Sequence, residues 1–165
     1  MSILSKKLTA VVLLSLLLLL SGCAVKKNGL SGVESEDYFG LRDAEGQALI
    51  LSVPPQRIVS LSMRGDDVLF ALLGTERIAA FSKFAGNPLI SNIPPEAAAM
   101  VPERAQATLE YLMKLRPDLI VIPESQSPDL VRALREMGIP VFVSRTIHQV
   151  EESKKLIRDL AVIVG

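Results

Sequence analysis

The chain has 165 residues, enough for about one folded domain, and its 18 basic and 18 acidic side chains leave no net formal charge. No basic block occurs, so the composition argues against a nucleic-acid partner. The single cysteine, Cys23, excludes an internal disulfide bond, and the folded part must therefore be stabilised by its core alone.

The N-terminus has the pattern of an export signal. Lys6 and Lys7 precede an apolar-rich run over residues 8–20, which is shorter than the roughly 20 residues that span a bilayer. The run ends in Leu-Ser-Gly-Cys, which resembles the lipobox of bacterial lipoproteins. The pattern predicts a signal peptide over residues 1–22 and a lipid on Cys23, holding the chain on the extracytoplasmic or periplasmic face of the cell membrane. A transmembrane anchor with a cysteine near its end is the alternative.

Residues 23–36 are small, polar and charged, and predict a flexible tether between membrane and domain. Two alternating segments follow over residues 38–51. They flank Asp43-Ala44-Glu45-Gly46, which predicts a β-hairpin with Gly46 at positive φ.

Strands and helices alternate through the rest of the chain. Apolar spacing, helix caps and breakers predict strands at 57–61, 77–81, 118–122 and 139–143, and helices at 66–73, 108–115, 128–137 and 150–164. Ser127 is the predicted cap of the third helix, with Pro128 at its first position. Residues 86–103 contain several prolines and predict mostly loop. In the last helix, Val150, Ile157, Leu160 and Val164 are predicted to share the buried face, with Glu151 pairing to Lys155 on the other.

This alternation predicts an α/β fold, a Rossmann-like parallel sheet with flanking helices. Ligands of such sheets bind beyond the carboxyl ends of the strands. The loops of interest therefore begin at Ser62, Ser82, Pro123 and Ser144.

Several blocks of this domain resemble, in order and spacing, the substrate-binding proteins of ABC importers for iron-siderophores, haem and cobalamin. The blocks are Pro55-Gln56-Arg57-Ile58-Val59-Ser60-Leu61-Ser62, Asp67 to Leu72, Phe81 to Pro88, Leu109-Glu110, Leu115-Arg116-Pro117-Asp118-Leu119-Ile120 and Gly138-Ile139-Pro140-Val141. The resemblance implies one lobe of a bilobed helical-backbone metal-receptor fold. Residues 37–165 would be the N-terminal lobe, and the second lobe would be absent from this sequence.

The resemblance also implies a function without chemistry of its own or a cofactor. Such a protein captures an iron-siderophore, haem or cobalamin-type ligand and delivers it to an ABC permease and its ATPase. The alternative is a truncated or repurposed lobe that acts as a partner-binding lipoprotein. An α/β enzyme is disfavoured, because no dinucleotide or phosphate-loop motif and no nucleophile elbow occurs.

The resemblance places ligand-facing residues in the loops after the strands. They are Met63, Arg64, Phe84, Arg104, Glu124, Ser125 and Arg145. Arg64 or Arg104 could bind a carboxylate or catecholate bidentately, and the alternative is that both are solvated loop residues. For Phe84 the alternative is core packing. Arg104 lies where cobalamin binders place an aromatic residue, which argues mildly against cobalamin.

The functional interpretation of three other sets of residues is less specific. Glu110 matches an acidic residue that contacts the permease in this family, although an exposed helix glutamate is also common on solvated surfaces. Asp66 and Asp67 suit the dipole of a helix start. The single histidine, His148, has no second histidine or cysteine nearby and is predicted to be a surface residue without a metal.

Overall fold

The computed structural model describes residues 41–165, so the predicted signal peptide, Cys23 and the tether lie outside the described residues. The strands are β1 Leu41–Arg42, β2 Ala48–Leu49, β3 Ile58–Ser60, β4 Ile78–Ala80, β5 Leu119–Pro123 and β6 Val141–Ser144. The helices are α1 Met63–Leu73, α2 Pro95–Ala99, α3 Leu109–Leu115, α4 Pro128–Glu136 and α5 Val150–Val164. Among these helices, none is both long and apolar enough to cross a membrane.

The centre of the domain is a parallel sheet in the order β4-β3-β5-β6. Its strands are buried on both faces, as parallel strands covered by helices must be. Alternate residues of β3 and β5 enter different apolar clusters: Ile58 and Leu119 join one, and Val59 and Ile120 the other. The prediction of an α/β fold with a Rossmann-like parallel sheet is confirmed.

Helices cover both faces of this sheet. Leu69 of α1 and Leu160 of α5 belong to one apolar cluster, whereas Leu112 of α3 and Leu134 of α4 belong to the other. All four side chains are fully buried. Each helix is therefore held in place mainly by burial of one apolar stripe against the sheet.

Two of the sequence blocks that carry the family resemblance, those containing Arg57 and Asp118, are hydrogen-bonded to each other at the amino ends of β3 and β5. The carboxylate of Asp118 accepts hydrogen bonds from the amides of Gln56 and Arg57, at 2.6 and 2.8 Å. Arg57 Nε in turn donates to the carbonyl of Leu115 at 2.6 Å. These contacts fix the register of the central strands, and with it the loops at their opposite ends.

The hairpin forms as predicted, with β1 antiparallel to β2 and Gly46 at φ 77°. The carboxylate of Asp43 accepts from two amides of the turn, a pattern that stabilises tight turns. Arg135 binds Asp43 and Glu45 at 2.6 Å each, and the Ala44 amide donates to the carbonyl of Val143. The hairpin is thereby attached to the edge of the sheet at β6.

The residues at which α1 and α4 begin and end can be compared with the predicted caps. Helix α1 begins at Met63, three residues before the predicted start, because Ser62 Oγ accepts from the Gly65 amide at 3.2 Å. Gly74 ends this helix at φ 65°, as predicted. Helix α4 begins at Pro128, but Ser127 makes no side-chain cap.

The predicted buried face of the last helix is wrong in part. Val150 and Ile157 are 69% and 47% exposed, whereas Leu156, Leu160 and Ile163 are buried together with Val164. The i, i+4, i+7 stripe of leucine and isoleucine faces the sheet, and it lies beside the predicted stripe. The ion pairs also differ, since Glu151 pairs with Lys154 and Lys155 pairs with Asp159.

Candidate ligand-binding site

The loops that follow the parallel strands form what we call the carboxyl edge, comprising residues 61–64, 82–84, 123–126 and 144–146. Two adjoining depressions open here. The first, of about 330 Å³, is lined by Leu61, Ser82, Lys83, Phe84, Arg104, Ala105, Gln106, Ala107 and Gln126. The second, of about 190 Å³, is lined by Leu61, Ser62, Met63, Arg64, Phe84, Pro123, Ser144, Arg145, Thr146 and Leu156.

Phe84 stands between the two depressions and lines both. It is 37% exposed, so the alternative of core packing is wrong for this side chain. The ammonium group of Lys83 lies 5.1 Å from the centre of its ring, within the range of a cation–π contact. The carboxyl edge thus offers an exposed aromatic face with a cation beside it.

Met63 and Arg64 lie in the first turn of α1, at the mouth of the second depression. Arg64 is exposed, and among residues 41–165 it has no partner in a side-chain hydrogen bond or ion pair. Arg145 lines the same depression and makes one long contact, 3.4 Å from Nη2 to the carbonyl of Ala44. The structure therefore brings Met63, Arg64, Phe84 and Arg145 together.

Arg104 lines the first depression, but backbone carbonyls occupy much of its guanidinium. Nη1 donates to the carbonyls of Val101 and Glu103, and Nη2 donates to that of Ala98. A guanidinium has five N–H donors, so Arg104 retains only part of its capacity to bind an anion. Of the two arginines considered from the sequence, Arg64 is the one with its donors available.

Glu124 and Ser125 follow β5 as predicted, but they do not line either depression. The Glu124 carboxylate accepts from the Thr146 amide at 2.7 Å. The hydroxyl and amide of Thr146 lower the pKa of Glu124, and the charges of Arg145 and His148 lower it further. The ionised carboxylate of Glu124 therefore connects the loop after β5 to the loop after β6 by a hydrogen bond. His148 is exposed, as the sequence predicted.

The charged side chains that line the two depressions are basic. They are Arg64, Lys83, Arg104 and Arg145, and within the described part of the chain no acidic side chain contributes to the lining. Like charges that line a concave surface focus their field into it and attract ligands of opposite sign. The carboxyl edge is thus suited to an anion with an aromatic or apolar body.

One buried group at this edge was not recognised from the sequence. Asp66 is 0% exposed, and its carboxylate accepts from the amide of Ser82 at 3.1 Å and from its hydroxyl. Burial raises the pKa of Asp66 to about 6, although hydrogen bonds from Ser82 and Ser60 act in the opposite direction. Its spacing of three from the buried Leu69 was the available signal, since i and i+3 share a helix face.

Glu110 is exposed in the first turn of α3. The preceding segment includes Ala107, which lines the first depression, so Glu110 lies close in sequence to the carboxyl edge. In residues 41–165 no cluster of three or more histidine, cysteine or acidic side chains is placed to hold a metal ion.

The described domain has other cavities, and the first of these shares Arg145 and Leu156 with the second depression. One of about 70 Å³ sits among the hairpin, β6 and α5, and its volume suits a few water molecules at most. Another, of about 260 Å³, is an open groove between residues 47–50 and residues 138–141. That groove lies at the end of β6 opposite the carboxyl edge.

Comparison with known proteins identifies the family of the chain. The model of the periplasmic binding protein family matches residues 58–165. The chain therefore belongs to the periplasmic binding protein family, a class of solute-binding proteins that act outside the cytoplasm. No curated protein matches the chain.

Solved structures share the fold. A periplasmic haem-binding protein of Pseudomonas aeruginosa matches at 22% identity and TM-score 0.52, over 66% of this chain and 39% of its own. A periplasmic solute-binding protein of Veillonella parvula matches at 19% identity and TM-score 0.60, over 75% and 40%. A possible iron-binding protein of Staphylococcus epidermidis matches at 24% identity and TM-score 0.54, over 66% and 43%. The chain thus spans about two fifths of the length of these relatives.

Proposed function

We propose that this chain belongs to the solute receptor of an ABC importer and that its carboxyl edge binds an anionic iron chelate. A ferric siderophore or haem fits this chemistry best, and a cobalamin-type ligand is the remaining member of the class. The observation that carries the proposal is the convergence of Phe84, Arg64 and Arg145 around one depression, at the sheet edge where α/β folds bind ligands.

The ligand chemistry follows from these side chains. A planar guanidinium binds carboxylate or catecholate oxygens with two parallel hydrogen bonds, and Arg64 has its donors available among the described residues. The exposed ring of Phe84 supplies a surface on which the organic part of a chelate can pack. The positive field from Lys83 and Arg145 favours ligands that carry net negative charge.

Both depressions are open to solvent and lie at or below the low end of small-molecule pocket volumes, which run from roughly 300 to 1,000 Å³. We therefore assign residues 37–165 to one wall of the ligand site, the N-terminal lobe of a bilobed receptor. The solved relatives support this, because the matched region is about two fifths of their length.

We further propose that a lipid on Cys23 holds the receptor at the extracytoplasmic membrane face, with residues 23–36 as its tether. The partners would be a permease and its ATPase, with Glu110 among the contacts to the permease. The lipid is testable in an expressing bacterium by incorporation of labelled palmitate. Label in the wild-type chain and none in Cys23→Ala is expected, and equal labelling of both would contradict the anchor.

The ligand proposal is tested by titrating the full-length chain with haemin, a ferric catecholate chelate, a ferric hydroxamate chelate and cyanocobalamin. Arg64→Ala is the variant of interest. Arg158→Ala is its matched control, since Arg158 is also an exposed helical arginine but lies outside both depressions.

Saturable binding of at least one anionic iron chelate is expected. Arg64→Ala should weaken it by about tenfold, the effect of losing one charge-assisted pair, and Arg158→Ala should leave it unchanged. Equal affinity of wild type, Arg64→Ala and Arg158→Ala would show that Arg64 does not contact the ligand. The absence of binding of every probe by folded wild-type chain would contradict the proposed function.

A further inference from the structure

A buried carboxylate lies directly beneath the carboxyl edge, and within residues 41–165 no cationic side chain pairs with it. Asp66 is fully buried in α1, and the polar groups that act on it are Ser60 at the end of β3 and Ser82 in the loop after β4. The nearby charge that acts on it is Asp67, which is also negative. Buried charges are normally paired, so an unpaired one calls for an explanation.

The contacts of Asp66 run to the loop that carries Phe84. Both carboxylate oxygens lie within 3.2 Å of the Ser82 amide, and Oδ2 also accepts from the Ser82 hydroxyl. The same hydroxyl accepts from the amide of Phe84 at 3.3 Å. A continuous chain of hydrogen bonds therefore connects the buried carboxylate to the backbone of the exposed aromatic residue.

We propose that Asp66 is a positioning residue of the ligand site, which fixes through Ser82 the conformation of the loop that presents Phe84. This inference rests on the proposed function for its role in binding, but the coupling between Asp66 and the loop can be measured without a ligand. Asp66 does not itself line either depression, so it acts on a ligand only through Ser82 and Phe84.

The coupling gives the site a dependence on pH. The ionised carboxylate accepts from both donors of Ser82, whereas a protonated carboxyl group carries a hydrogen on one oxygen and holds them less well. The pKa of Asp66 is raised to about 6 by burial, so the loop should be held firmly at pH 7.5 and loosened below pH 6.

The chain contains no tryptophan, so Phe84→Trp introduces a single reporter into this loop. The full-length chain is followed by tryptophan emission from pH 8 to pH 4.5. We expect a transition near pH 6 in Phe84→Trp and its loss when Asp66→Asn is added. Adding Asp67→Asn instead should retain the transition and move it slightly to lower pH, since the Asp67 charge raises the pKa of Asp66.

Lys83→Trp, at an exposed neighbouring position, serves as the reporter if Phe84→Trp does not fold. The inference is overturned if the transition persists in the Asp66→Asn background, or if no transition occurs in a folded reporter protein. Circular dichroism establishes folding at each pH.

Haemin titrations at pH 7.5 and pH 5.5 then test whether the conformation of this loop affects ligand binding. Asp66→Asn should weaken haemin binding by about tenfold at pH 7.5 and by much less at pH 5.5. Equal affinity of wild type and Asp66→Asn at both pH values would overturn the role in binding. If wild-type chain binds no probe, the proposed function fails, and the tryptophan transition still decides whether Asp66 positions the loop.

Discussion

The buried carboxylate of Asp66 predicts an unusual dependence of stability on pH. Its pKa rises from an ordinary value of 3.8 in the unfolded chain to about 6 in the folded protein. Below about pH 3 the group is mostly protonated in both states. Between about pH 4 and pH 6 the Asp66 carboxyl group ionises in the unfolded chain before it ionises in the folded protein. Asp66 therefore lowers the free energy of unfolding as pH rises. The full reduction, reached at neutral pH, is about 3 kcal/mol.

The variant Asp66→Asn removes this titration and nearly preserves the shape of the side chain. The free energy of unfolding of Asp66→Asn relative to wild type should therefore increase by about 2 kcal/mol between pH 4.5 and pH 7. Comparing the two proteins at each pH cancels the titration of the other groups. Urea unfolding of the full-length chain, followed by circular dichroism, measures the difference.

A second variant checks the cause. The Ser82 hydroxyl donates to the ionised carboxylate and so lowers the pKa of Asp66. Ser82→Ala should raise that pKa further and extend the interval of falling stability to higher pH. A difference between Asp66→Asn and wild type that stays constant from pH 4.5 to pH 7 would refute the reasoning, because it would mean that Asp66 titrates alike in both states.

Three further predictions concern packing and docking. Leu69→Ala should lower the free energy of unfolding by about 2–5 kcal/mol, since Leu69 is fully buried in α1, and an effect below 1 kcal/mol in urea unfolding would contradict its place in the core. Gly65→Ala should lower the melting temperature despite better helix propensity, because its Cβ would lie 3.0 Å from Val121 Cγ1, and a higher melting temperature would show that the contact relaxes. Glu110→Gln should reduce solute uptake in cells without changing solute binding. Its control is Glu96→Gln, also exposed in the first turn of a helix, and equal uptake by the two variants would exclude a specific docking role.

Much of the fold could be predicted from the sequence because local signals agree with burial. The β5 run Leu119–Pro123 is apolar at nearly every position, as a strand covered on both faces requires. Gly46 and Gly74 adopt positive φ where turn and helix end demand it. These signals are local in sequence, so they do not depend on knowing the tertiary neighbours.

The errors arose where the outcome depends on distant neighbours. Helix α5 has apolar residues on more than one stripe, and only its packing against the sheet selects Leu156 over Ile157. From the sequence, Asp66 was interpreted only as a partner of the helix dipole, but the structure buries it in contact with Ser82, sixteen residues further along the chain. The occupation of the Arg104 guanidinium by three backbone carbonyls has no signature in the sequence.

The ligand-facing residues were predicted only as a set of loops after strands. The structure separates Met63, Arg64, Phe84 and Arg145, which meet around one depression, from Glu124, which braces a neighbouring loop. That distinction follows from side-chain directions and hydrogen bonds, which strand order alone does not determine.

Hydrogen–deuterium exchange with and without a saturating iron chelate tests the central claim most directly. Binding at the carboxyl edge predicts protection of residues 61–64, 82–84 and 144–146 and no change in the groove formed by residues 47–50 and 138–141. Protection of that groove, with the carboxyl edge unchanged under saturating ligand, would contradict the assignment of the site.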